Sequence, residues 1–389
     1  MNFKGISYYL GLFCLPISFL AFINILYSSY FDFFLSINSY ITTLIISLTI
    51  GLTFFLIGRN SLKKINFIEQ LILIFLVYTL VSALISIPFY LSNYQVTLLN
   101  SFFESVSGLT GTGFSIFENI KYLDPTLIIW RSSSQWIGGL YFLIFLIIIF
   151  SNKQFNFKMN DLTFSGDGSI SSENNIKSLI LKIFILYSTL SFVIFILLNL
   201  SEVRMFNSLN LSMSLISNGG FLPTNTLKKI IETNFQKIIF IFSLLISMLN
   251  FFLILNIFKK KILIREHKED LYLIILAVIF ILLIYFNENM GIETIISIIS
   301  SLSNSGLSLI NEGNNLSLYF LLIACIGGSV ISNSSGIKLV RFYILTKTTG
   351  AEIIKLISPN SVVNRNMYAT GKKITDDNIK NSFLIFISF

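Results

Sequence analysis

Thr110-Gly111-Thr112-Gly113-Phe114 ends a short Ser-rich stretch, NSFFESVSGLTGTGFSI, that begins at Asn100. Its glycines free the backbone from regular helix and let carbonyl oxygens turn inward. Inward-turned carbonyls are the chemistry of a site that strips water from a cation and replaces it with main-chain oxygen. The pattern recurs. Leu209 to Thr224 reads LNLSMSLISNGGFLPT and Ile295 to Ile310 reads IISIISSLSNSGLSLI, each a Ser-rich short helix running into a Gly followed by Phe or Leu. Non-helical backbone at membrane depth persists only where protein buries it or a wet cavity receives its polar groups. Three such turns between spanning helices read as the lining of a pore.

The chain that must position them is 389 residues long, 54% hydrophobic and only 12% charged. Ordinary soluble domains carry about 25% charged residues, so the fold class is an all-α polytopic membrane protein. The net charge of +8 gains meaning only from its location, and no nucleic-acid partner follows from it. Cys14 and Cys325 lie far apart inside apolar stretches, which argues against a disulfide framework or a thiolate metal site. His267 is the single histidine and sits in the charged run KKKILIREHKED. An imidazole metal site and a Ser-His-Asp arrangement are thereby excluded, and the spans carry no catalytic carboxylate cluster, so an enzyme is not expected.

Crossing a bilayer takes about 20 apolar residues. The candidate spans are Ile6 to Tyr27, Tyr40 to Ile57, Phe67 to Leu91, Thr126 to Phe150, Leu179 to Leu200, Phe235 to Phe258, Leu271 to Phe286 and Leu316 to Leu345, with Ile379 to Phe389 starting a ninth. The first is longer than a signal-peptide core and is expected to be retained. Cations follow alternate spans: Arg59, Lys63 and Lys64; Lys153, Lys158, Lys177 and Lys182; Lys259, Lys260, Lys261, Arg265 and Lys268; and those from Lys338 to Lys380. Positive charge marks the cytoplasm, which puts the N-terminus inside and brings all three Gly turns in from outside. Glu104, Glu118, Asp124, Glu202, Glu232, Glu288, Glu293 and Glu312 then lie on the outer side, where they would draw cations. The resulting organisation is 1–66, two leading helices; 67–158, a first helix, re-entrant helix, helix unit; 159–262, a second; 263–350, a third; and 351–389, a cytoplasmic linker and the start of a fourth.

The strings SGLTGTGFSIF, LIIWRSSSQWIGGL, SMSLISNGGFLPTN, SMLNFFL, SLSNSGLSLI, IGGSVISNSSGIKLVRF and IKLISPNSVV resemble, as an ordered set, the Trk/Ktr/HKT potassium-transporter superfamily, most nearly its bacterial TrkH branch. That resemblance implies a potassium uptake protein of the cytoplasmic membrane, with a pseudo-four-fold channel-like pore. It also implies a homodimer and a cytoplasmic nucleotide-binding regulator of the TrkA type, with K+ as the transported ion. Carried over by position, the filter would use Thr110, Gly111, Thr112 and Gly113; Ser217, Asn218, Gly219 and Gly220; and Ser303, Asn304, Ser305 and Gly306. The family breaks the second helix of its third unit with a small-residue gate loop. Here that loop would be Gly327 to Gly336, with Gly328, Ser329, Ser332, Asn333 and Ser334 inside it and Lys338 and Arg341 beneath.

The chain departs from the family pattern in three ways. The gate loop reads GGSVISNSSGIK against GG-x-x-GST-x-GGIK, placing Ile331, Asn333 and Ser335 where Gly, Thr and Gly are usual. Either Ile331 takes ordinary backbone angles or the gate moves differently. Gly111 stands where the family often has Thr. No fourth turn follows the third, so the competing expectation is a non-conducting or degenerate membrane subunit that needs a second polypeptide. Symport with Na+ or H+ and channel-like flow are equally open at this stage. Other polar residues carry plainer expectations: Gly138 and Gly139 as packing contacts, Asn250 as an interhelical hydrogen-bonding residue inside a span, Arg131 snorkelling to a carboxylate such as Asp124, and Lys259 to Asp270 as a solvated loop.

Overall fold

A computed structural model describes residues 1–33, 37–61, 65–150, 173–251, 253–254, 268–285, 291–309, 317–358, 374 and 376–388. Several residues of the orientation argument lie outside them: Lys63, Lys64, Lys153, Lys158, Lys259 to Arg265, His267, Glu288 and Glu312. So does the second half of IKLISPNSVV, from Pro359 on. The described residues hold thirteen α-helices and no strand. In chain order these are α1 (Phe3–Tyr30), α2 (Ile37–Gly58), α3 (Phe67–Tyr90), α4 (Leu98–Thr110), α5 (Pro125–Phe150), α6 (Glu173–Leu200), α7 (Met205–Ser217), α8 (Asn234–Met248), α9 (Lys268–Tyr285), α10 (Ile292–Ser303), α11 (Ser317–Ile326), α12 (Leu339–Ile357) and α13 (Asp376–Ser388). Five of them, in α1, α2, α3, α5 and α6, are long and apolar enough to cross a membrane. The protein is a polytopic membrane protein.

The helices group into two units, one of Met1–Gln154 with Tyr187–Glu232 and one of Phe155–Leu186 with Thr233–Phe389. In the first, α1 packs on α2 and α3, α3 on the short α4, and α5 on both α4 and the short α7. Their shared core runs from Phe13 and Tyr40 through Val77 and Phe89 to Trp130 and Phe145. In the second, α10 packs against α8, α9 and α11, around Met248, Leu273, Ile298, Leu302 and Ile323. Many outward side chains are large and apolar, Phe19, Phe75 and Phe192 among them, as lipid contact requires.

Two expected spans are shorter than their apolar runs. The run from Phe235 stops being helix at Met248, and Leu249 and Asn250 interrupt it before Phe251. The run from Leu316 to Leu345 is split into α11 and α12 by the segment 327–338. Asn250 is therefore in a break, and its main-chain N–H, not a helix-to-helix side-chain bond alone, gives it a role: it donates to Asp270 Oδ1 at 2.9 Å. Gly138 packs closely on the backbone of Leu109 in α4, as a small packing residue should.

Candidate functional site

The three short helices α4, α7 and α10 end in the same way, bond for bond. Each closes on a left-handed residue, Gly111 (φ +69°), Asn218 (φ +54°) and Asn304 (φ +58°). Two residues on, each chain turns left-handed again at Gly113 (φ +81°), Gly220 (φ +80°) and Gly306 (φ +67°). The capping bonds match. Gly111, Asn218 and Asn304 donate N–H three residues back, to Gly108, Leu215 and Ser301, at 3.1, 3.2 and 3.2 Å. Thr112, Gly219 and Ser305 donate five residues back, to Ser107, Ser214 and Ser300, at 3.0, 3.0 and 3.1 Å. A left-handed cap with this bonding stops a helix while satisfying its last carbonyls. The αL conformation disfavours most side chains, so Gly and Asn stand there for a physical reason. The C-terminal, partially negative end of each helix leads into its turn.

Within the first unit the first two turns meet. A methyl on Gly113 would lie 2.6 Å from the Gly219 carbonyl oxygen, and one on Gly111 would lie 3.7 Å from the Ser217 carbonyl oxygen. Thr110 and Thr112 share a hydroxyl hydrogen bond of 2.7 Å. The Ser107 hydroxyl holds the Phe114 carbonyl at 2.5 Å. The third turn belongs to the second unit. There the Asn304 side chain donates to the Ala324 carbonyl of α11 at 3.0 Å, and the Ser305 and Ser300 hydroxyls share a bond of 3.0 Å.

The first unit also holds an ion pair that sequence reasoning misplaced. Arg131 is 1% exposed and does not reach Asp124; its Nε donates to Glu104 Oε1 at 2.7 Å, and Glu104 is 0% exposed. Arg131 Nη2 donates to the Ser115 hydroxyl at 2.9 Å and Nη1 to the Leu222 carbonyl at 3.5 Å. Its guanidinium lies 4.2 Å from the Phe221 ring centroid. Glu104 also accepts from Ser115 Oγ at 3.1 Å and from the Ile116 N–H at 2.9 Å. Glu104 is thus a buried, neutralised brace and not an outer cation lure. Both residues sit in apolar surroundings, where ionisable groups pair with one another. Outside the spans, Asp124 is half-buried, and desolvation pushes its carboxyl above the ordinary range. Burial, with the charge of Asp124 adding to it, likewise raises the neighbouring Tyr94 phenol.

In the second unit, residues 327–338 fold into a loop with a closed neck. Ile337 and Lys338 donate N–H to the Cys325 and Ile326 carbonyls at 3.0 and 2.9 Å. Gly327 (φ +72°) and Gly336 (φ +89°) lie face to face at that neck, where side chains would collide. Ile331 is buried and does not adopt positive φ, so it takes ordinary angles in place of the family's Gly. The loop fills the break in the run that follows α8: Ser329 N–H donates to the Met248 carbonyl at 3.2 Å and Phe251 N–H to the Ile331 carbonyl at 3.0 Å. Ser334 Oγ accepts from the Gly328 N–H at 3.1 Å and bonds Ser332 Oγ at 2.7 Å. The Lys338 ammonium donates to the carbonyls of Ser334 and Ser332 and to Ser334 Oγ, while Arg341 Nη1 reaches the Ile337 carbonyl at 3.4 Å. Asn333, also inside the loop, is partly buried.

Glu269 and Asp270 complete this arrangement from the first turn of α9. Glu269 Oε1 accepts from the Val330 N–H at 2.8 Å, as Asp270 does from Asn250. Both carboxylates are buried. The expected solvated stretch thus ends in two buried residues that staple the loop and the break; the rest of it, up to His267, lies outside the described residues.

No protein-family profile matches the chain. An uncharacterized cation transporter of Methanocaldococcus jannaschii is 27% identical over 339 residues, spanning 84% of this chain and 69% of that protein. The Trk system potassium uptake protein TrkG of Escherichia coli is 24% identical over 353 residues, spanning 82% of this chain and 68% of its own length. The crystal structure of the potassium transporter TrkH from Vibrio parahaemolyticus matches 100% of this chain and 83% of that one, with a TM-score of 0.82 at 20% identity. This chain is similar over most of its length to Trk potassium uptake proteins. The match to the TrkH structure shows a shared fold. These relatives are named as transporters.

Proposed function

We propose that this chain forms the K+-conducting pore subunit of a Trk-type uptake system in the cytoplasmic membrane, with its N-terminus inside. The observation that carries the proposal is the threefold recurrence of one cap geometry, a short helix whose C-terminus runs into αL, one residue, αL again. The filter would be built from Thr110 to Gly113, Ser217 to Gly220 and Ser303 to Gly306. Helix ends carrying about half a negative charge each favour a cation there, and main-chain oxygens replace its hydration. The loop from Gly327 to Gly336, with Lys338 and Arg341 beneath it, serves as the gate. The native assembly in this reading is a homodimer gated by a cytoplasmic TrkA-type nucleotide-binding subunit.

The test is Rb+ uptake and growth on micromolar K+ in cells stripped of their own K+ importers, expressing the protein at its full natural length. Uptake above the empty-vector control is the expected result. Correct membrane insertion without uptake, with the regulator co-expressed, overturns the proposal and favours the non-conducting subunit.

A further inference from the structure

The first unit grips its two turns from behind, through one face of α5. Arg131 and Gln135 stand one helical turn apart on that face. Gln135 is fully buried and spans the second turn with both ends of its carboxamide. Its Nε2 donates to the Gly219 carbonyl, and its Oε1 accepts from the Phe221 N–H at 3.1 Å. The peptide planes on either side of Gly220 are thereby fixed in orientation by a side chain that lies outside the turn. The first turn is fixed through the second, because Gly113 packs within a methyl's width of that same Gly219 carbonyl. Outward by one turn, Arg131 and Glu104 hold Ser115, Ile116 and Leu222, the residues leaving both turns.

We propose that Gln135 is a positioning residue that sets cation selectivity, by taking the Gly219 carbonyl onto α5 and so determining which second-turn oxygens are free for an ion. The inference rests on the K+-filter reading above. Selectivity among alkali cations depends on the number and field strength of the carbonyl dipoles presented. A carbonyl engaged by a buried amide donor is a weaker and differently directed ligand. Binding constellations keep their geometry only when the supporting shell is itself locked, and Gln135 is locked by two hydrogen bonds in a fully buried position.

The experiment measures the K+ to Na+ preference in two ways, by competition of Na+ with Rb+ uptake in cells and by the cation-dependent rise in thermal midpoint of the purified full chain. Four forms are compared: wild type, Gln135→Met, Gly219→Ala and the double variant. Gln135→Met keeps volume and removes both hydrogen bonds. Gly219 is not in the left-handed region, so the methyl of Gly219→Ala acts by overlapping the Gln135 carboxamide. Each single variant is expected to lower the K+ to Na+ ratio about tenfold, the equivalent of one hydrogen bond, at wild-type amounts of folded protein. The double variant is expected to be no worse than the worse single, because both act through one contact. Unchanged ratios, with uptake falling only in proportion to protein amount, overturn the inference, as does a double variant whose losses multiply. Failure of both singles to accumulate would make Gln135 a folding residue and also overturn it. A wild type with no K+ preference in either measurement defeats the proposed function itself, and the inference with it.

Discussion

Changing Glu104 to Gln removes one charge from a fully buried pair. Arg131 would keep its guanidinium at 1% exposure, with only neutral oxygens from the new amide, Ser115 and Leu222 as partners. Removing one partner of a buried pair costs about 3–5 kcal/mol, because the other charge is left uncompensated. Set beside a total stability of about 5–15 kcal/mol for a typical domain, that loss is a large fraction of the whole. Adding Arg131→Met removes the stranded charge, so the double variant should recover most of the loss, with a coupling of at least about 2 kcal/mol between the sites. Thermal midpoints in one detergent at fixed K+, read as the fraction of monodisperse protein surviving heating, give the comparison. A wild-type midpoint for Glu104→Gln, or losses that simply add in the double variant, would show that this pair does not brace the turns.

Gly113→Ala faces αL strain of about 1–2 kcal/mol together with the Gly219 carbonyl 2.6 Å away, whereas Gly306→Ala meets nothing within 4 Å and carries the strain alone; Rb+ uptake should fall further in the first than in the second. Ile331→Ala empties a site that is 1% exposed and should cost about 2–5 kcal/mol in stability, read as a lower thermal midpoint at unchanged expression. Lys338→Met withdraws the ammonium from the Ser332 and Ser334 carbonyls and should raise Rb+ leak in the absence of any regulator, measured as uptake per unit of protein in the membrane.

The turns were legible in the sequence because glycines at αL positions have few substitutes, and because the motif occurs three times. At Asn218 and Asn304 the same αL cap was taken by Asn, which the spelling of the motifs blurred. The supporting residues were harder to read. Arg131 beside Trp130 looks like an interfacial anchor when α5 is considered alone. Its carboxylate partner lies on α4, 27 residues away, and nothing local to α5 points there. Gln135 could be read only as the end of the polar run Arg131 to Gln135 in an otherwise apolar helix, since its partners are main-chain groups that carry no sequence signature. The break after Met248 was hidden for a similar reason: LNFFL is apolar enough to continue a helix, and what stops it is a loop some 80 residues on that takes its backbone bonds.

The docking of that loop into the break has a consequence for how it could ever move. Met248 offers its carbonyl to Ser329, Phe251 its N–H to Ile331, and Glu269 accepts from Val330. Displacing residues 327–338 strips all of these at once, and each orphaned group costs about 1–3 kcal/mol unless solvent replaces the lost partner. Movement and wetting are then a single event. Such an arrangement responds to the chemical potential of water as well as to any applied force, so osmolytes excluded from the protein surface should oppose the displacement.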